Sequence, residues 1–116
     1  MPKFKKDLLE FWEDQMRLSH TSSNYFFRKS PSHYHMMLLV MNAHKYDEKL
    51  TVEELKTRLF KTSRPKSALM IKEACDKNFF LLEKKGKDNR KKYVIPTPVF
   101  INEFYDYLKT LNNLSF

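Results

Sequence analysis

The sequence predicts a mainly helical domain of α+β class with one small β-hairpin, and three observations predict it. Apolar residues recur at helical spacing through most of the chain, the pattern turns extended after Asn78, and Ser or Thr stands one or two residues before Pro at three helix starts (Ser30-Pro31, Ser63-Arg64-Pro65, Thr97-Pro98). A chain of 116 residues suits a single domain with a thin core. Hydrophobic residues at 41% and aromatics at 15% exclude a disordered polybasic tail.

The first helix is predicted over Lys3 to Leu18, where Phe4, Leu8 and Phe11 make one apolar row and Leu9, Trp12 and Met16 another. Two rows are more than one packing partner covers. Ser19 to Ser30 is Ser/Thr-rich and reads as a loop, with room for an anchoring turn around Tyr25, Phe26 and Phe27. Ser30 and Pro31 cap and open a helix to about Tyr46, apolar on nearly every side and therefore expected to be the most buried.

Thr51-Val52-Glu53-Glu54 is a capping box, so a short helix begins there, with Val52, Leu55, Leu59 and Phe60 expected on one face. Thr62 or Ser63 caps the next helix, Pro65 fits its first turn, and Ala68, Met70, Ile71, Ala74 and Cys75 are its inward candidates to about Lys77. Asn78 suits a left-handed stop. Phe79 to Leu82 and Lys91 to Ile95 then form two strands around a charged tip holding Gly86, the only glycine. Thr97-Pro98 opens a last helix with Phe100, Ile101, Phe104, Tyr105, Tyr107, Leu108 and Leu111 along it. No internal repeat or domain boundary interrupts residues 1–116.

The formal net charge of +8 is unevenly placed. Residues 1–60 carry 10 basic and 8 acidic side chains, residues 61–92 carry 11 against 4, and residues 93–116 carry 1 against 2. The excess thus falls on the second helix of a helix-turn-helix pair and on the hairpin behind it. In a winged helix-turn-helix those are the parts that meet a polyanion: the helix amino end offers free amides to phosphate, and its outward side chains enter a major groove.

Leu50 to Thr97 resembles the DNA-binding half of MarR-type transcriptional regulators, including their short SarA-like relatives. The residues that carry the resemblance are Leu50-Thr51, Glu54-Leu55 and Arg58-Leu59, and the wing signature Asp88-x-Arg90 followed by Val94 and Thr97. Departures are one extra residue between Leu59 and Ser63, Asn78 in place of the usual Gly, Pro96 in place of the usual Leu, and one C-terminal helix where two are frequent. The resemblance implies a sequence-specific regulator that binds double-stranded DNA as a homodimer, through a DNA-binding part at about 50–97 and dimerisation helices at about 3–18 and 98–112. It also implies that Asp88 and Arg90 stabilise the wing or contact DNA.

The DNA-contact candidates are Ser63, Arg64, Lys66, Ser67 and Lys72 on the helix and Lys85, Lys87, Arg90 and Lys92 on the wing, with Asp88 beside them. Arg64 is the base-reading candidate, because its planar fork can grip guanine. The dimerisation candidates are Phe4, Leu8, Phe11, Trp12, Phe100, Phe104, Tyr107, Leu108 and Leu111; packing of the same aromatics within a monomer is the alternative.

No cofactor or metal is expected. His20, His33, His35 and His44 show no i, i+4 pair, and the single cysteine, Cys75, excludes a disulfide framework or a Cys-rich zinc site and reads as a small inward hydrophobe. A single glycine excludes the glycine-rich phosphate loops, and no nucleophile-and-base motif appears, so no enzyme activity is expected. The longest uncharged apolar run, Met36 to Met41, is too short to span a membrane, and charges from Lys3 to Glu10 stand where a signal peptide is apolar. The expected setting is a bacterial cytoplasm, on the nucleoid, and a small-molecule effector is left open without identified residues. Two other functions fit parts of the sequence: a winged-helix protein adaptor, which would need an apolar patch on the basic helix, and a nonspecific architectural DNA binder.

Overall fold

A computed structural model describes residues 6–84 and 91–115. The elements in chain order are β1 (Lys6–Asp7), α1 (Leu8–Met16), α2 (Ser23–Phe27), α3 (Pro31–Lys45), α4 (Val52–Arg58), α5 (Arg64–Asp76), β2 (Phe80–Lys84), β3 (Lys92–Pro96), α6 (Pro98–Asn112) and β4 (Leu114–Ser115).

Local capping sets most of these boundaries. The Asp7 carboxylate accepts from the Glu10 amide at 2.8 Å, so α1 starts at Leu8 and not at Lys3. Lys6 and Asp7 are instead extended and pair in parallel with Leu114 and Ser115, tying the two ends of the chain together. The presumed loop from Ser19 to Ser30 contains α2, capped by the Ser22 hydroxyl on the Tyr25 amide at 3.1 Å. Its Phe26 and Phe27 are core residues, with ring centroids 4.9 Å apart.

α3 is the buried central helix, with Met36, Met37, Val40 and Met41 all inside. Phe27, Phe79, Phe80 and Phe100 pack around one another, so α2, the end of α5, the hairpin and α6 share one aromatic cluster. The buried Ser23 amide and hydroxyl both donate to Glu103 Oε1, at 3.0 and 2.6 Å, and fix α2 on α6.

Thr51 and Glu54 make the expected capping box at the start of α4. Phe60 departs from the expected inward face: it is 74% exposed and touches His35 edge-on, because α4 ends at Arg58 and the chain turns at Leu59. Asn78 takes φ 64°, as a left-handed stop requires. The Thr97 hydroxyl donates to the Asn78 carbonyl at 2.7 Å and caps α6 at the Phe100 amide, which fixes the end of α5 against the start of α6.

β2 and β3 are antiparallel, with Phe80 opposite Pro96 and Leu82 opposite Val94. Pro96 thus sits at the strand end, where a missing amide costs little. The Val94 amide donates to the Leu50 carbonyl at 2.8 Å, and Thr51 bridges Tyr93, so the hairpin base is fixed beside the start of α4.

Candidate nucleic-acid interface

α5 is positioned by the turn before it. Ser63 caps the helix, its hydroxyl accepting from the Lys66 amide at 3.3 Å. The Thr62 hydroxyl donates to the Leu59 carbonyl at 3.0 Å and meets the Ser67 hydroxyl at 2.6 Å, while Ser67 hydrogen-bonds the Ser63 carbonyl at 3.0 Å. These contacts lock the turn and set the rotation of α5.

That rotation puts Ser67, Met70, Ile71 and Ala74 inside, an i, i+3, i+4, i+7 row. Ser67 is therefore removed from the outward candidates: its side chain is fully buried and its hydroxyl is engaged within the turn. A polar residue at the head of an apolar row looks outward in sequence, but here neighbouring turn groups supply its hydrogen bonds. Ala68, expected inside, is only half-buried.

Ser63, Arg64, Lys66 and Lys72 are exposed. Arg64 is ion-paired with Glu53 of α4, which also takes a hydrogen bond from Lys56 at 3.3 Å. The Lys56 contact and then Arg64 hold the Glu53 carboxyl below its ordinary pKa. Lys72 is bonded to Asp76 one turn on at 2.7 Å, which raises the lysine's pKa. Arg64, Glu53, Lys72 and Asp76 all face solvent, so the Arg64–Glu53 and Lys72–Asp76 pairs leave the cations able to exchange partners. Leu69, which sequence reasoning left out, is 55% exposed on the same helix, three residues from both Lys66 and Lys72. Glu53 was missed as well; its spacing from Arg64 carries no local signal.

On the wing, Lys92 is exposed at the start of β3. Lys85, Lys87, Asp88 and Arg90, together with Gly86, lie outside the described residues. Thr51, Glu53, Lys56, Leu82, Lys91 and Lys92 line a groove of about 500 Å³ between the start of α4 and the hairpin base.

The terminal helices divide the presumed dimerisation residues. Phe11, Phe100 and Phe104 are buried within the protomer, and Tyr107 is half-buried with its hydroxyl 3.0 Å from that of Tyr34. Phe11, Phe100 and Phe104 are thus corrected to buried residues of the protomer: Phe100 packs on Phe27, Phe80 and Phe104, and Phe11 meets Tyr107 at 6.0 Å. The other α1 row stays outside, with Leu9 67%, Trp12 49% and Met16 59% exposed. Leu8 and Leu108 are exposed too, Leu111 is half-buried, and Phe4 lies outside the described residues.

Cys75 is half-buried at the end of α5, and burial pushes its thiol pKa up, with Asp76 adding to the shift. Among the described residues no cluster of His, Cys, Asp or Glu is placed to hold a metal ion, and no helix is long and apolar enough to cross a membrane. A cavity of about 480 Å³ between α1, α2, α3 and α6 is lined by Phe11, Trp12, Phe27, Arg28, Tyr34 and Tyr107.

No family model and no curated protein matches the chain. Among solved structures it is similar to the crystal structure of apo (heme-free) PefR, with TM-score 0.52 and 19% identity over 90% of this chain and 83% of that one. The fold is a winged helix. Within this winged helix, α4 and α5 are the helix-turn-helix pair and β2 and β3 the wing; α1, α2 and α3 precede them and α6 follows the wing.

Proposed function

We propose that this winged-helix protein is a transcription regulator of MarR type that binds specific double-stranded DNA as a homodimer. The observation that carries the proposal is the coincidence of charge and fold: the chain's basic excess falls on residues 61–92, the segment that holds α5 and the wing, and Arg64, Lys66 and Lys72 lie exposed on α5. The winged-helix fold, shared with apo (heme-free) PefR, supports it. In this reading the amino end of α5 meets phosphate, Arg64 reads a base, Lys66, Lys72 and Lys92 anchor the backbone, and Lys85, Lys87 and Arg90 of the wing, steadied by Asp88, reach the flanking duplex.

The exposed row Leu9, Trp12 and Met16, with Leu8 and Leu108, is the surface we assign to the second protomer, since a second copy would cover a row that the core leaves bare. The cavity beneath α1 gives a small-molecule effector a place to act on the same helices. The adaptor reading is weaker, because the exposed face of α5 carries cations with Leu69 as its single large apolar residue.

Selection from a random duplex pool by the purified protein tests the DNA assignment; enrichment of one sequence supports it, and an unenriched pool contradicts it. Sedimentation tests the dimer, with a monomer at micromolar concentration as the contrary result.

A further inference from the structure

Leu69 stands at the middle of the solvent face of α5 with more than half of its surface in water, although Met70 and Ile71 beside it are buried. Isolated exposed leucines are common and by themselves mean nothing. The surroundings of this one are specific. Lys66 precedes it by three residues and Lys72 follows it by three, so both cations flank it at about 4.5 Å of axial rise. Pro65 and Lys66 lie one turn toward the amino end, where Ser63 caps the helix, and Arg64 is the first helical residue.

A side chain flanked in this way is poorly suited to an apolar protein surface, because docking there would strip water from the Lys66 ammonium and from the Lys72–Asp76 ion pair and offer neither cation a new anion. A polyanion pairs them. On a duplex, the apolar group displayed at the base edges of the major groove is the 5-methyl of thymine. Lysines to either side would hold the helix to phosphates while the leucine methyls met that group.

Resting on the DNA-binding reading above, we propose that Leu69 is a specificity residue that reads a thymine 5-methyl group in the major groove. The recognition is van der Waals and hydrophobic, it needs no hydrogen bond, and it adds to whatever base preference Arg64 confers.

The experiment uses the full chain and a duplex selected by it, with each thymine replaced in turn by uracil, which keeps base pairing and removes only the methyl. For the wild type, affinity falls about fourfold at a minimum of one position, the worth of one methyl taken out of water. In Leu69→Ala that position becomes indifferent to uracil, while binding to the unmodified duplex and its salt dependence persist; Leu69→Gln gives the same loss of discrimination. No uracil-sensitive position in the wild type overturns the inference, as does a uracil penalty that survives in both variants. Loss of all DNA binding by a folded Leu69→Ala also overturns it. Failure of the wild type to bind any duplex removes the DNA-binding reading itself and is distinguished by the absence of salt-dependent binding from the start.

Discussion

Arg64, the first residue of α5, is ion-paired with Glu53 of α4 across the helix-turn-helix corner. The side chain best suited to reading a base is thus held, before DNA arrives, by an exposed carboxylate that also engages Lys56. A DNA phosphate or a guanine edge must compete with that carboxylate for the guanidinium. Glu53→Gln is expected to raise duplex affinity by removing the competing anion. Arg64→Ala is expected to lose roughly 1–3 kcal/mol of binding and to relax one base preference, whereas Lys66→Ala weakens all sequences alike. Fluorescence anisotropy on a selected duplex and single-base variants checks all three; weaker binding by Glu53→Gln would contradict the competition.

Ser67 holds the turn from inside. Its hydroxyl meets Thr62 at 2.6 Å and the Ser63 carbonyl at 3.0 Å, in a fully buried site. Ser67→Ala leaves the Thr62 hydroxyl without that neighbour and is expected to lower folding stability by about 1–3 kcal/mol. Urea unfolding measures this. A variant as stable as the wild type but defective in DNA binding would show that Ser67 faces outward after all.

Phe27 is the centre of the aromatic cluster, with ring centroids at 4.9 Å from Phe26, 5.4 Å from Phe80 and 5.1 Å from Phe100. Phe27→Ala is expected to cost about 3–5 kcal/mol, a large share of the stability of so small a domain. The exposed Phe60→Ala is expected to stay within about 0.5 kcal/mol of the wild type. Denaturant melts of the pair check the contrast.

His33 gives stability a pH dependence. It is buried at the start of α3, its Nδ1 shares a 2.7 Å hydrogen bond with the Ser30 hydroxyl, and its ring meets Phe26 edge-on at 5.2 Å. Burial pushes its pKa below the ordinary 6.5; Lys29 and Lys66 push it the same way and Glu73 opposes them. The unfolded chain therefore takes up a proton that the folded one resists, so this contribution is complete above about pH 6.5 and is lost as pH falls through the lowered folded value. Melting temperature should drop between pH 7.5 and 5.5, and His33→Phe should flatten that drop. An identical slope in the variant would assign the effect to other groups.

Features encoded by a few adjacent residues were legible in the sequence. The capping box at Thr51, the caps at Ser30, Ser63 and Thr97, and the left-handed Asn78 all depend on neighbours within one turn, and each stands where the local pattern placed it. Pairings that join distant segments were not. Ser23 with Glu103 and Lys6–Asp7 with Leu114–Ser115 leave no periodic trace, because a single side-chain pair between two helices has no period and two-residue strands are too short for one. The same limit acted on the aromatics. Apolar counts in α1 and α6 signalled more surface than one face could hide, but which residues a single chain buries was settled by long-range packing: α2 and the hairpin took in Phe100, Tyr107 met Phe11, and Leu9, Trp12 and Met16 stayed outside.

The central claim is that the α5 face and wing bind a particular duplex, and the measurement that tests it most directly is affinity for a selected and a scrambled duplex across a salt series. The expected result is a fall in affinity with salt for both, with a logarithmic slope of about −0.9 per phosphate contact, together with a preference for the selected duplex of roughly a thousandfold or more. Equal affinity for the two duplexes, or binding unchanged by salt, would contradict it.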